Sequence, residues 1–129
     1  GRSCANILVA NRTTGRAENL GVETIPWDER NSAPADVLIN ATSIGMAPDH
    51  KDMPVSAQSL SRSRAVIDAV ARPPRSRLVE QAEAKGVIAV SGDRLSLQQA
   101  MEQFTLYTGK PAPEQVMGAA LREALSTAG

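Results

Sequence analysis

The chain has 129 residues, which suits one domain of ordinary size, and 42% apolar with 22% charged residues describes a soluble globular protein. Fourteen basic and fourteen acidic residues cancel, which argues against a non-specific nucleic-acid or membrane surface. The lone Cys4 excludes an intrachain disulfide, and no apolar run reaches the roughly 18 residues of a membrane span.

Taken in chain order, Asn6 to Ala10 is a short apolar run and reads as a strand buried on both faces. It stops at Asn11-Arg12-Thr13. Gly15 to Leu20 reads as a short helix with Gly21 as its stop, Glu23 to Trp27 as a second short strand, and Asp28 to Pro34 as a loop. Val37 to Ile39 is the next buried strand and opens directly into Asn40-Ala41-Thr42-Ser43-Ile44-Gly45-Met46. Ala47 to Pro54 is an exposed loop. Ala65 to Val70 is another apolar run, with Asp68 near its end. Pro73-Pro74 breaks the chain before a helix over about 76–85, and Val87 to Val90 is a further strand. An amphipathic helix follows Gly92-Asp93, with Leu95, Leu97, Met101, Phe104 and Leu106 apolar, and ends at Gly109. A last helix covers about 113–125. With Trp27, Phe104 and Tyr107 the only aromatics, the core must be aliphatic. Strands alternating with helices argue for a parallel α/β sheet.

Three constellations suggest chemistry. Arg12 and Arg16 stand four apart across a strand–helix junction, where two guanidinium groups can flank one phosphate. Thr13 adds a hydroxyl and the helix start adds backbone N–H donors. An Arg at the end of such a strand pairs with the 2′-phosphate of NADP, where an acidic residue would instead take the ribose hydroxyl of NAD. Two solvated arginines at a helix start satisfy the same spacing. Asn40 to Met46 lets backbone approach a ligand at the sheet's carboxyl edge, although an ordinary turn has the same composition. Gly92-Asp93 with Gln98 and Gln99 opens a helix, and a surface glutamine pair explains it equally well. His50 has no Cys or second His nearby, which speaks against a metal site. Cys4 has no evident base partner. Asp68, a carboxylate ending an apolar strand, must find donors, either by capping the next turn or by facing a ligand cleft.

In this order and spacing the motifs resemble the NADP-binding domain of shikimate dehydrogenases. The family's Asn-Arg-Thr with a further basic residue is matched by Asn11, Arg12, Thr13 and Arg16, and its Asn-Ala-Thr-Ser-x-Gly-Met by Asn40 through Met46. Its Asp-x-Val-Tyr-x-Pro-x-x-Thr is matched by Asp68, Val70 and Pro73, with Ser76 for Thr and Ala71 for Tyr. Its closing Gly, Gln and Phe-x-x-x-Thr-Gly are matched by Gly92, Gln99, Phe104, Thr108 and Gly109. The resemblance covers nearly the whole chain. It implies a Rossmann-like, doubly wound parallel sheet with flanking helices, in which residues 1–92 form βα units and 93–129 the C-terminal helices. The family's glycine-rich turn and first strand would precede Asn6 and are absent from the sequence, so 1–129 is expected to be a partial NADP-binding domain. A fragment, a processed form or an expression scar would each account for the start at Gly1-Arg2-Ser3.

The resemblance further implies NADP as cofactor, with Arg12 and Arg16 on its 2′-phosphate and Asn11 and Thr13 near the adenosine ribose. Thr42 and Ser43 would lie by the ribose and pyrophosphate, and Gly92 by the nicotinamide. Gln99 would reach hydroxyls of the substrate. The full enzyme would reduce 3-dehydroshikimate reversibly to shikimate in the cytoplasm, without metal, nucleic acid or membrane. The family's catalytic Lys and Asp lie in another domain, so no catalytic residue is expected here and the chain alone should be inactive. Ala71 keeps quinate or another hydroxy-acid open as substrate. A non-catalytic nucleotide-binding or interaction module is the rival from a different class. Without a central strand, two half-sheets would expose interior edges, so a strand donor or homo-oligomer is expected.

Overall fold

Short β-branched and aliphatic runs form strands here, and Ser, Gly and Pro set where the helices between them begin and end. A computed structural model describes residues 6–13, 15, 17 and 19–127. The chain divides into two units, Gly1–Pro34 and Ala35–Gly129.

In the first unit, β1 (Leu8–Asn11) and β2 (Glu23–Pro26) pair in parallel, with Leu8 opposite Glu23 and Asn11 opposite Pro26. The strand starts two residues later than the apolar run suggests and includes Asn11. Leu8 is exposed and Val9 to Asn11 are half-buried, so β1 is not the doubly covered strand that its composition implies. Residues 15 and 17 are helical, and Ala17 is buried. The stretch read as a loop begins with a 3-10 helix, Trp27–Asn31, in which the Arg30 guanidinium lies 4.1 Å from the Trp27 ring centre and donates to the Trp27 carbonyl. That stacking is a cation–π contact.

In the second unit, β3 (Val37–Asn40), β4 (Ala65–Asp68) and β5 (Ile88–Val90) form one parallel sheet in the order β3-β4-β5. Two helices connect them: α1 (Ala57–Leu60), which the sequence reading lacks, and α2 (Arg77–Ala84). Each begins at a serine, Ser56 and Ser76, whose hydroxyl accepts a backbone N–H three residues on. Leu38, Val66 and Ala89 stand side by side in register on one face of the sheet. Against that row pack Val55, Leu60, Leu78, Ala82 and Val87, with Met53 at the margin. This is the core of the unit, and it is aliphatic throughout.

Alternation along the strands sends the neighbouring residues to the other face. There Val37, Ile39 and Ile88 are 50, 63 and 69% exposed. The expectation of a fully buried strand at Val37 to Ile39 therefore fails: only Leu38 packs on the core, half-buried. The long helix α3 (Gly92–Thr108) stops at Gly109 and is followed by α4 (Glu114–Thr127). Leu95 and Leu106 on α3 and Val116 on α4 are exposed, so the apolar stripes of these helices are only partly used.

Leu78 is 1% exposed in the centre of the core, whereas Val116 is 67% exposed. Leu78→Ala is expected to cost about 2–5 kcal/mol of unfolding free energy. Val116→Ala should stay within about 0.5 kcal/mol. Urea denaturation of the two variants measures both, and equal losses would contradict this placement of the core.

Candidate functional site

Parallel strands bring their carboxyl ends to one edge of a sheet, and ligands of open α/β sheets bind there. Each unit has such an edge. In the first, β1 ends at Asn11, and Arg12 and Thr13 follow it as exposed residues. The Asn11 side chain accepts the Thr13 N–H at 3.4 Å, which holds the turn. Among the described residues the Arg12 side chain has no hydrogen-bond or ion-pair partner. An exposed, unpartnered guanidinium at a strand end is suited to an anion. Arg16, the other half of the expected clamp, lies outside the described residues, as does Cys4.

In the second unit the edge is built around two polar residues that close adjacent apolar strands. Asn40 and Asp68 face each other in register, 2% and 0% exposed. The Asn40 amide donates to Asp68 Oδ1 at 2.9 Å and to the Ile44 carbonyl at 3.2 Å. Asn40 Oδ1 accepts both the Thr42 backbone N–H at 3.1 Å and the Thr42 hydroxyl at 2.7 Å. Thr42 Oγ1 in turn accepts the Ile44 N–H at 3.1 Å. Asp68 Oδ1 also receives the Val70 N–H at 3.1 Å, and Oδ2 receives the Ser76 hydroxyl. Ser76 Oγ accepts the Val79 N–H at 3.2 Å and so caps α2. A further bond from the Ala47 N–H to the Arg72 carbonyl, 3.0 Å, ties the loops after β3 and β4 together.

Gly45 takes φ 92° in the first of these loops, a left-handed conformation that an L side chain rarely adopts. Gly92 serves by close approach instead. It is buried at the first turn of α3, where an added Cβ would collide with the Val70 carbonyl and lie 2.7 Å from the Ala71 nitrogen. Glycine therefore seats α3 directly on the Val70–Ala71 peptide. Gln99 and Gln98 are exposed on α3.

The second unit thus brings Asn40, Thr42, Asp68 and Ser76 into one network, with Gly92 against its far loop. Asp68 caps the turn after β4 and starts α2, the first of the two roles its sequence position allows. Asn40 and Ser76 both lie in motifs read from the sequence, but their bonds to Asp68 were not foreseen there. Their signal was present, since two polar residues ending neighbouring apolar strands must meet if the strands pair in register. A hollow of about 630 Å³ between α3 and α4 is lined by Leu97, Glu114, Gln115, Gly118 and Arg122, and by no residue of this network. Among the described residues no cluster of three His, Cys, Asp or Glu is placed to hold a metal ion, and no helix is long and apolar enough to cross a membrane.

Comparison with known proteins gives these edges a context. The family described as "Shikimate 5′-dehydrogenase C-terminal domain" matches residues 96–122. Shikimate dehydrogenase (NADP(+)) from Natronomonas pharaonis is 41% identical over 127 residues, covering 92% of this chain and 47% of that protein. Among solved structures, shikimate 5-dehydrogenase from Thermus thermophilus in complex with NADP(H) and shikimate superimposes with a TM-score of 0.74. It is 32% identical, over 92% of this chain and 46% of that one. Quinate dehydrogenase from Corynebacterium glutamicum in complex with NAD gives 0.79 at 26% identity, over 92% and 46%. The chain spans about half the length of these relatives. The likeness confirms a Rossmann-like α/β fold.

The seating of α3 supplies a direct test. Gly92→Ala must push the helix off the Val70–Ala71 peptide, at a cost of about 1–3 kcal/mol. A denaturation series with Gly118→Ala as control measures it, since a Cβ at Gly118 meets nothing nearer than 3.4 Å. A Gly92→Ala chain as stable as the control would contradict the contact.

Proposed function

We propose that this chain, similar over 92% of its length to shikimate dehydrogenases, is the nucleotide-binding part of an NADP-dependent shikimate dehydrogenase. The whole enzyme would interconvert 3-dehydroshikimate and shikimate in the cytoplasm. The observation that carries the reading is Arg12. Its side chain is exposed at the carboxyl end of β1 and lacks any partner among the described residues, as a group reserved for the 2′-phosphate should be.

The residues present fit the nucleotide. Arg12, joined by Arg16, would pair with the 2′-phosphate through charge-assisted bonds. Asn11 and Thr13 would stand by the adenosine ribose, Ser43 and Thr42 by the ribose and pyrophosphate, and Gly92 by the nicotinamide. Gln99, exposed on α3, would offer its amide to substrate hydroxyls. Bound NADP(H) supplies the hydride. The chain's own part is to bind and orient, and the proton exchanged at the substrate oxygen would be handled by groups of the relatives' other half.

Ala71, half-buried beside the Gly92 contact, favours one alternative within the same chemistry. A small side chain where shikimate dehydrogenases carry Tyr suits quinate or another hydroxy-acid, and a quinate dehydrogenase is among the structural neighbours.

The same reading includes a partner for the second unit's sheet. The helices α1 and α2 lie with the core on one face, and among the described residues β3 has no strand partner on its outer edge. Right-handed crossovers place the helix of a strand added beyond β3, in the opposite winding direction, on the other face. That is the face where Val37, Ile39 and Ile88 are bare. The donor would be the rest of the full-length enzyme or a second copy. Sedimentation and thermal melting of the 129-residue chain test this. Self-association is expected, and a compact monomer with one cooperative transition would contradict it.

Calorimetric titration with NADP and with NAD tests the nucleotide assignment. Arg12→Ala should weaken NADP roughly 10- to 100-fold, the worth of a charged hydrogen bond, and leave NAD little changed. Equal losses would refute the phosphate clamp. A wild-type chain that binds neither nucleotide would favour a non-catalytic interaction module.

A further inference from the structure

The loop from Asn40 to Met46 presents two adjacent hydroxyls, Thr42 and Ser43, and both are exposed. Their hydrogen-bond states differ. The Thr42 hydroxyl gives its only proton to Asn40 Oδ1 at 2.7 Å and accepts the Ile44 N–H at 3.1 Å. Among the described residues the Ser43 hydroxyl has no partner. A phosphate or pyrophosphate oxygen only accepts, so a hydroxyl can hold it only with a free proton. Thr42 has none to give unless it abandons Asn40.

Asn40 cannot easily release Thr42 in exchange for another donor. Its two amide protons and both lone pairs of its carbonyl oxygen are engaged, by Asp68, Ile44 and Thr42. Its amide is fixed in that orientation by Asp68, which as a carboxylate can only accept there. Asp68 is itself held by the Val70 N–H and by Ser76 at the start of α2. The chain of bonds therefore runs from a helix cap, through two buried side chains, to the hydroxyl of Thr42 and the backbone of Ile44.

We propose that this Ser76–Asp68–Asn40 strap makes Thr42 a positioning residue, and that Ser43 is the hydroxyl donor the loop offers to an anionic ligand. The ligand class, the pyrophosphate of a dinucleotide, rests on the nucleotide reading above; the division between the two hydroxyls does not. Thr42 sets where the Ile44 amide and the turn lie, and Ser43 donates.

Amide spectra of the ¹⁵N-labelled 129-residue chain test the strap without any ligand. Thr42→Val keeps the shape of an exposed side chain and removes the hydroxyl. It should shift or broaden the Ile44 amide and carry the change to Val70, and Thr42→Ser should restore both. Ser43→Ala should move only its immediate neighbours. Ser76→Ala should reach Thr42 and Ile44 although it lies on another element. Titration with NADP and with inorganic pyrophosphate forms the second arm. There Ser43→Ala should cost about tenfold in affinity, the worth of one hydrogen bond, with the Val70 amide in place. An Ile44 amide unmoved in Thr42→Val and in Ser76→Ala would overturn the strap. Ser43→Ala with unchanged affinity would overturn the donor assignment. A wild-type chain that binds neither probe would overturn the nucleotide reading and Ser43's part with it, while the Ile44 amide still decides the strap.

Discussion

A carboxylate with no exposed surface must be met by donors, and at the end of β4 that requirement organises everything around it. Asp68 collects an amide from the neighbouring strand, a backbone N–H from its own turn and a hydroxyl from the start of α2. One buried group thus fixes the register of β3 against β4, the conformation of the loop after each and the point at which α2 begins. The Val70 turn that Asp68 holds is also the platform on which Gly92 seats α3. Removing the carboxylate would strand several polar groups at once, which makes it a constraint on the whole edge and not a single contact.

The sheet supplies the other half of that logic. Parallel strands are stable only when both faces are covered, and in the second unit one face is packed with aliphatic side chains while the other shows Ile39 and Ile88 to solvent. The chain spans about half the length of its relatives, and the bare face and outer edge of β3 are where the partner proposed above would add. Function follows the same division. In the proposed function the strand ends here would bind and orient the nucleotide, and the proton chemistry would fall to groups outside this chain.

The strands were legible because Leu8 to Ala10, Val37 to Ile39, Ala65 to Ile67 and Ile88 to Val90 are short apolar runs closed by polar residues. The helices α2, α3 and α4 were legible from Pro73-Pro74, Gly86, Gly109 and Pro113, which punctuate them. The single turn α1 was not, because Ala57–Leu60 is too short for periodicity to show, and its start depends on the Ser56 cap. The bare sheet face escaped notice for a different reason. Composition shows that Val37 and Ile39 are apolar, yet whether anything covers them is decided by chain elsewhere. The exposed position of Arg12 was readable from its place after a strand, and the need of Asp68 for donors from its charge within an apolar run. The contrast between Thr42 and Ser43 was not readable, since identical chemistry in adjacent positions is separated only by which hydroxyl Asn40 captures.

Phosphorus NMR of NADP bears most directly on the nucleotide reading proposed above, because its 2′-phosphate and its pyrophosphate give separate resonances. On addition of the chain both are expected to move, and Arg12→Ala should abolish the change at the 2′-phosphate while the pyrophosphate still responds. A 2′-phosphate resonance that stays at its free position while the pyrophosphate shifts would contradict that reading.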